Sequence, residues 1–296
     1  MILHFLLACL LLAGCAALHS PDQGSSHVMQ FEAKEPVRIA LVLGGGGSKG
    51  LAHLGAIQEL EKAGIRPDLI VGCSAGAIIG AFYADSPDLS HAEKLFLDLK
   101  KSDLLDTSFF GSRFGVVQGK KLRSFMDKNL SAQTFTDLKI PLIVVATDLF
   151  NGETVELSQG ELSSAVHASS ALPGLFKPVV LHGKHLIDGG ITSPLPVEVA
   201  RKYGAQIVIA IDVSEELPSA KPKHMFGVAK RGIEISYRKL LAHSLEKADV
   251  AIKMSFQDIG MFSEHLNYEM FKEGQKQARN RLPEIHKKIA ELKSVK

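Results

Sequence analysis

The run Leu69-Ile70-Val71-Gly72-Cys73-Ser74-Ala75-Gly76-Ala77 sets a serine between two glycines, where an apolar strand pattern gives way to a small-residue helix pattern. In a G-x-S-x-G turn the hydroxyl is pushed clear of the backbone, and Gly72 and Gly76 remove Cβ atoms that would clash. The serine also lies at the N-terminus of the following helix, whose dipole favours negative charge developing beside it. Ser74 is therefore a candidate nucleophile for acyl transfer. The same pattern also suits a turn that only packs, so the assignment needs partners.

A first partner is the loop Gly44-Gly45-Gly46-Gly47-Ser48-Lys49-Gly50, between the apolar strand ending at Leu43 and a helix through about Ala63. Bare backbone N–H groups near a developing anion are what an oxyanion hole requires. Gly45, Gly47 and Gly50 also fit G-x-G-x-x-G, the dinucleotide fingerprint. That reading needs an acidic residue about 20 positions on, near the end of a second strand. Asp68 has the spacing but precedes its strand, and no Gly-Lys-Ser/Thr closes a phosphate loop. A bound nucleotide is not expected.

The second partner is a base. His185-Leu186-Ile187-Asp188-Gly189-Gly190 puts a carboxylate at the end of a short apolar strand with two glycines beside it. An aspartate can accept a serine proton within hydrogen-bond reach, although Asp-Gly is also a common turn dipeptide. Asp148 and Asp212 end apolar strands too, so the residues alone leave three candidates. Among 12 histidines, His53 and His167 are the ones that a Ser-His-Asp triad would draw on. A triad is recognised by mutual geometry, and ordinary helix-face histidines fit the sequence as well. His182 and His185 flank a turn without the further ligands a zinc site needs. No metal and no cofactor are expected.

Together these segments resemble the patatin-like phospholipase family, in its bacterial branch. The glycine loop matches the family's oxyanion block, Gly72–Gly76 its nucleophile elbow, and Asp188-Gly189-Gly190 its aspartate block. Ala168-Ser169-Ser170-Ala171-Leu172-Pro173-Gly174-Leu175-Phe176-Lys177-Pro178, Ala146-Thr147-Asp148-Leu149 and Ala248-Asp249-Val250-Ala251-Ile252 match as well. The similarity runs from about Arg38 to Arg281. It implies an α/β fold of three layers, α/β/α, around a mostly parallel sheet. It also implies a Ser74–Asp188 dyad without histidine, and an oxyanion held by N–H groups of Gly45, Gly46 and Gly47. Substrates would be phospholipids, lysophospholipids or short acyl esters. One position departs: the family's usual arginine is Lys49 here, which cannot make planar bidentate contacts.

The elements that must position these residues are legible as alternating apolar strands and amphipathic helices, the pattern of a parallel sheet covered on both faces. Strands are expected at 38–43, 69–72, 141–147, 153–157, 179–181, 185–187, 206–212 and 249–254. Helices are expected at 51–63, 75–84, 90–100, 119–129, 161–170 and 195–203. Gly44–Gly50 and Ser74 then sit at the C-terminal edge of strands, where open α/β sheets hold their sites. Cys73 reads as packed beneath Ser74, because successive side chains of a strand alternate in direction. After a surface linker from Ser214 to about Met225 come helices at about 226–247 and 268–293, packed on the sheet or serving as a lid. Their Lys and Glu content reads as a solvated face in preference to a membrane-binding one, since net hydrophobicity and basic clustering are both modest. Arg281-Leu282-Pro283 should kink or interrupt the last helix. Phe109, Phe110 and Phe114 either face lipid or help fill the core, and the large area that aromatic rings bury favours the core.

The N-terminus differs in kind. Ile2 to Gly14 is too short to span a bilayer and suits a signal-peptide core. Leu12-Ala13-Gly14-Cys15 resembles the bacterial lipobox, although no Lys or Arg precedes the apolar run. The resemblance implies a signal over 1–14 and a lipid on Cys15. A flexible tether follows over 15–36, then one patatin-like domain over 37–296. Ala16 and Ala17 after the cysteine imply the outer membrane of a cell envelope. Of the three cysteines, Cys9 would leave with the signal and Cys15 would carry lipid. Cys73 alone would remain, so no intramolecular disulfide is expected.

At 296 residues, 46% hydrophobic and +2 in net charge, the chain can bury one large core, and no basic stripe with interleaved aromatics suggests nucleic acid. The expected activity is that of a serine lipid acyl hydrolase. The alternative is a catalytically silent lipid- or partner-binding module on the same fold, since fold alone does not fix function.

Overall fold

The computed structural model describes residues 36–106, 117–217, 220–256 and 266–294. The expected signal, Cys15, the tether up to residue 35 and the segment Phe109–Gly115 lie outside the described residues.

Strands β1 (Ile39–Leu43), β2 (Leu69–Cys73), β3 (Leu142–Asp148) and β7 (Ile207–Asp212) are apolar almost throughout. Such runs form strands buried on both faces. They pair in parallel with one another and with β8 (Val250–Lys253), in the order β3-β2-β1-β7-β8. Beyond β3 the sheet turns antiparallel: β6 (Lys184–Asp188) pairs β3, β5 (Val179–Leu181) pairs β6, and β4 (Thr154–Leu157) also pairs β3.

The helices are α1 (Leu51–Lys62), α2 (Ala75–Asp85), α3 (Ser90–Leu97), α4 (Lys101–Leu104), α5 (Lys120–Asn129), α6 (Leu162–Ser169), α7 (Val197–Lys202), α8 (Met225–Glu246) and α9 (Asn267–Ser294). Alternate side chains of each strand enter different cores. Leu41, Leu43, Ile70, Val144, Ile209 and Ile211 pack with α1, α2, α3, α5, α6 and α9. Val42, Val71, Val145, Val208 and Ala210 pack with α7 and with Leu241 and Leu245 of α8. The result is the three-layer arrangement expected from the sequence.

The N-terminal half of helix α1 is buried all round because it is covered twice, by the sheet and by α9. Its residues Leu51 to Ile57 are all buried. The crossing with α9 is closer than side chains allow. A Cβ on Gly55 would lie 2.0 Å from the carbonyl oxygen of Phe271, and one on Gly274 would lie 2.0 Å from that of Ala52.

Of the kink or interruption expected at Pro283, the interruption does not occur: α9 runs from Asn267 to Ser294 with Pro283 inside it. Proline removes one N–H from the helix ladder. Leu282, Ile285, Ile289 and Leu292 keep packing against the core on either side of it, which offsets that loss.

This crossing yields a stability test with opposite signs. Gly274→Ala should force the two helices apart and destabilise the fold by about 1–3 kcal/mol. Gly232→Ala in α8, where no atom lies within 4 Å of the new Cβ, should stabilise by about 0.5–1 kcal/mol. Urea midpoints that do not separate the two variants would contradict the packing described.

Candidate active site

Strand register brings three distant segments to one row. Leu43 pairs with Gly72, Cys73 with Val145, and Ala146 with Asp188. The residues one step beyond β1 and β2 are Gly44 and Ser74, at the C-terminal edge. Asp188 reaches the same row from the opposite direction, since β6 runs antiparallel to β3. Thr147 Oγ1 fixes it there by donating to the Asp188 carbonyl at 3.0 Å.

The turn at Ser74 is sharp, with φ 51° and ψ −118°. A left-handed φ on a non-glycine residue costs about 1–3 kcal/mol and persists only where its surroundings over-determine it. Here they do. A Cβ on Gly76 would lie 2.2 Å from the Leu43 carbonyl oxygen, and one on Gly72 would lie 2.7 Å from Ala77 Cα. The Ser74 N–H donates to Ser169 Oγ at 2.8 Å, and that hydroxyl donates onward to the Val145 carbonyl at 2.6 Å. Ser169 lies within a segment matched in the sequence, but nothing there gave it this role. Ser74 Oγ is thereby aimed at Asp188 and donates to its Oδ2 at 2.8 Å.

The other carboxylate oxygen, Oδ1, accepts the Gly190 N–H at 2.7 Å. Burial pushes the Asp188 carboxyl up to about 6, against the opposing pull of the hydrogen bonds from Gly190 and Ser74. A base with its pKa near neutrality combines ionisation with proton affinity. The other two aspartates are held elsewhere. Asp148 pairs with Lys184 at 2.9 Å, and Asp212 accepts the Ser214 N–H at 2.8 Å.

Neither histidine reaches the pair. Burial pushes His53 down to about 4, and its Nε2 bonds to the Gly44 carbonyl at 2.8 Å, so it braces the glycine loop. His167, also pushed down to about 4 by burial, packs its ring against Gly119 and Phe176. Cys73 is fully buried and burial pushes its thiol up, which removes it as a competing nucleophile.

The glycine loop presses against the serine: a Cβ on Gly45 would lie 3.5 Å from Ser74 Cβ. Its three expected anion donors are not equivalent. The Gly45 N–H is engaged by the Pro194 carbonyl at 3.0 Å, which takes it out of the expected donor set. The N–H groups of Gly46 and Gly47 carry no described backbone partner, because the single helical turn Gly47–Gly50 begins there and its first donors are open. Gly46 abuts Val213, whose Cγ2 would be 2.5 Å from a Cβ at that position. Lys49 is buried and ion-paired with Glu215, so it anchors the loop as a point contact in place of the family's arginine.

Tyr237 completes the enclosure, and no motif in the sequence pointed to it. From α8 its hydroxyl donates to the Gly45 carbonyl at 2.8 Å, and its Cε2 would be 3.0 Å from a Cβ on Gly190. It therefore borders the glycine loop and the aspartate loop at once.

A model of the family described as patatin-like phospholipase matches residues 41–201 of the 296, more than half of the chain. The chain is 35% identical over 179 residues to an uncharacterised NTE family protein of Mycobacterium tuberculosis, covering 60% of this chain and 49% of that one. It is 38% identical over 192 residues to the human patatin-like phospholipase domain-containing protein 6, covering 60% of this chain and 13% of that one. The chain thus spans about half the length of the mycobacterial relative and much less of the human one. In three dimensions it is similar to VipD from Legionella pneumophila, with a TM-score of 0.53 at 18% identity, covering 83% of this chain and 66% of that one. At that identity the likeness concerns the fold alone. On the family match, and with an elbow serine, a glycine loop and an Asp-Gly-Gly segment in the family's order, this chain belongs to the patatin-like phospholipases.

Proposed function

We propose that the protein is a serine lipid acyl hydrolase acting through a Ser74–Asp188 dyad. The observation that carries the reading is the 2.8 Å hydrogen bond from Ser74 Oγ to a buried carboxylate, made on a strained elbow. Ser74 Oγ attacks the ester carbonyl while Asp188 Oδ2 takes the hydroxyl proton. Negative charge on the carbonyl oxygen is met by the open N–H groups of Gly46 and Gly47, and by the N-terminus of α2. Asp188 returns its proton to the departing alcohol, leaving an acyl-serine. Water then loses a proton to the same carboxylate, attacks the acyl carbon, and releases the fatty acid and Ser74.

The substrates proposed are phospholipids, lysophospholipids or short acyl esters. The proposed setting is a bacterial cell envelope, with a lipid on Cys15 tethering the domain to the outer membrane. Among the described residues no helix is long and apolar enough to cross a membrane.

Two tests follow. With a chromogenic acyl ester and mixed phospholipids, Ser74→Ala and Asp188→Asn should each lower kcat/KM by about 10³-fold or more while staying folded. His53→Ala and His167→Ala should stay within about tenfold of wild type, because neither ring reaches the dyad. A folded His167→Ala protein without activity would sink the dyad in favour of a triad.

The second test uses pH. Only the ionised Asp188 can accept a proton, so activity should rise through about pH 6. Stability runs the other way. The folded state binds this proton more tightly than the unfolded chain, so the contribution of Asp188 is most favourable at low pH and is lost as pH rises through about 6. Asp188→Asn should therefore stabilise the protein at pH 7.5 by up to about 3 kcal/mol, with the gain vanishing near pH 4. A constant difference in melting temperature across that range would refute the burial argument.

A further inference from the structure

Helix α8 touches the site with one face and solvent with the other. On the inner face Leu241 lies in the core, Tyr237 bonds the Gly45 carbonyl, and Arg238 Nη1 bonds the Glu215 carbonyl at 2.8 Å. On the outer face Met225 is 74% exposed, Val228 61%, Ile233 55%, Ile235 41% and Leu240 36%. Single exposed apolar residues are ordinary, but five on the outward arc of one helix form a patch of the kind that marks an interaction surface.

The charge around that face selects its partner. Residues 221–243 contain six Lys or Arg and one Glu. Lys230 and Arg231 pair with Glu234, and Arg238 is turned inward. Lys221 and Lys223 are exposed just ahead of the first turn, and Lys239 is exposed one turn after Ile235. An apolar stripe bordered by lysines is the composition of a helix that lies in the headgroup layer of an anionic bilayer. A second copy of this chain would set the same cations against each other. The Lys and Glu of these helices, read from the sequence as a solvated face, leave the apolar arc out of account. The fold turns that arc outward.

We propose that α8 is a membrane-docking helix. Met225, Val228, Ile233 and Ile235 sink to the acyl boundary of an anionic phospholipid surface, and Lys221, Lys223 and Lys239 meet its phosphates. The proposal deepens the hydrolase reading and rests on it for the nature of the surface. Its consequence is geometric: the helix resting on lipid is the one whose Tyr237 borders the glycine loop and the Asp188 loop. Docking would thus hold the rim that Tyr237 borders close to lipid.

The chain contains no tryptophan, so Val228→Trp supplies a single local reporter. The full-length protein, carrying Ser74→Ala so that lipid is not consumed, is mixed with vesicles of phosphatidylcholine alone or with phosphatidylglycerol. The expected result is a blue shift and quenching by brominated acyl chains on the anionic vesicles. Both should be weaker on phosphatidylcholine and lost when Lys221, Lys223 and Lys239 are all changed to Glu. With Ser74 intact and no tryptophan, that triple variant should hydrolyse a soluble short-chain ester like wild type, and lose about tenfold or more on anionic vesicles.

Emission that ignores both vesicle types, or that responds equally after charge reversal, overturns the docking helix. So does a shift that depends on protein concentration without vesicles, which would assign the face to a second copy. Absence of soluble-ester hydrolysis in wild type would instead strike the hydrolase reading, while the tryptophan signal decides docking independently.

Discussion

The hydrogen bond between Ser74 and Asp188 exists because backbone segments meet at the end of β2 with no Cβ between them. Gly76 lies against the Leu43 carbonyl, Gly72 against Ala77, and Gly189 against the Val145 carbonyl, where a Cβ would be 2.3 Å away. The contacts of Gly76 and Gly189 tie the elbow and the aspartate loop to neighbouring strands, and that of Gly72 closes the elbow on itself. Remove one glycine and the row β1-β2-β3-β6 cannot close at that level, so the hydroxyl and the carboxylate separate. The strained φ of Ser74 is the local cost of this arrangement, and Ser169 holds the turn in place through the Ser74 N–H.

Burial then gives that geometry its chemistry. Asp188 is enclosed by the glycine segments, Tyr237 and the sheet, and its carboxyl moves up to about 6. The same enclosure keeps His53 neutral beneath the glycine loop and removes Cys73 as a nucleophile. One desolvated environment thus brings the Asp188 carboxyl toward neutral pH, the property the proposed dyad would use. The cost in stability falls on Asp188, whose charged form is the one that burial disfavours.

The two helical layers divide the work. On one face, α1 and α9 pack through facing glycines into the larger core and carry no site side chain except His53. On the other, α7 and α8 cover a smaller core, and α8 supplies Tyr237 and Arg238 at the rim. The larger layer packs the sheet beneath the elbow. The smaller one meets both the glycine loop and, through its outer arc, the surroundings.

By itself the sequence determined the elements and the local turns. Apolar runs bounded by glycine marked the buried strands, because a strand covered on both faces must be apolar at nearly every position. G-x-S-x-G and Asp-Gly-Gly were legible because close backbone approach demands glycine at fixed offsets. Tertiary structure decided which of Asp148, Asp188 and Asp212 meets Ser74, since that depends on β6 entering antiparallel beside β3, a register set by pairing between residues about 40 apart. It also decided that the Gly45 N–H is engaged by Pro194, that α9 continues through Pro283, and that Tyr237 reaches the glycine loop across 192 positions. These are properties of packing between distant segments. Local composition carries no record of which carbonyl or which face will lie opposite.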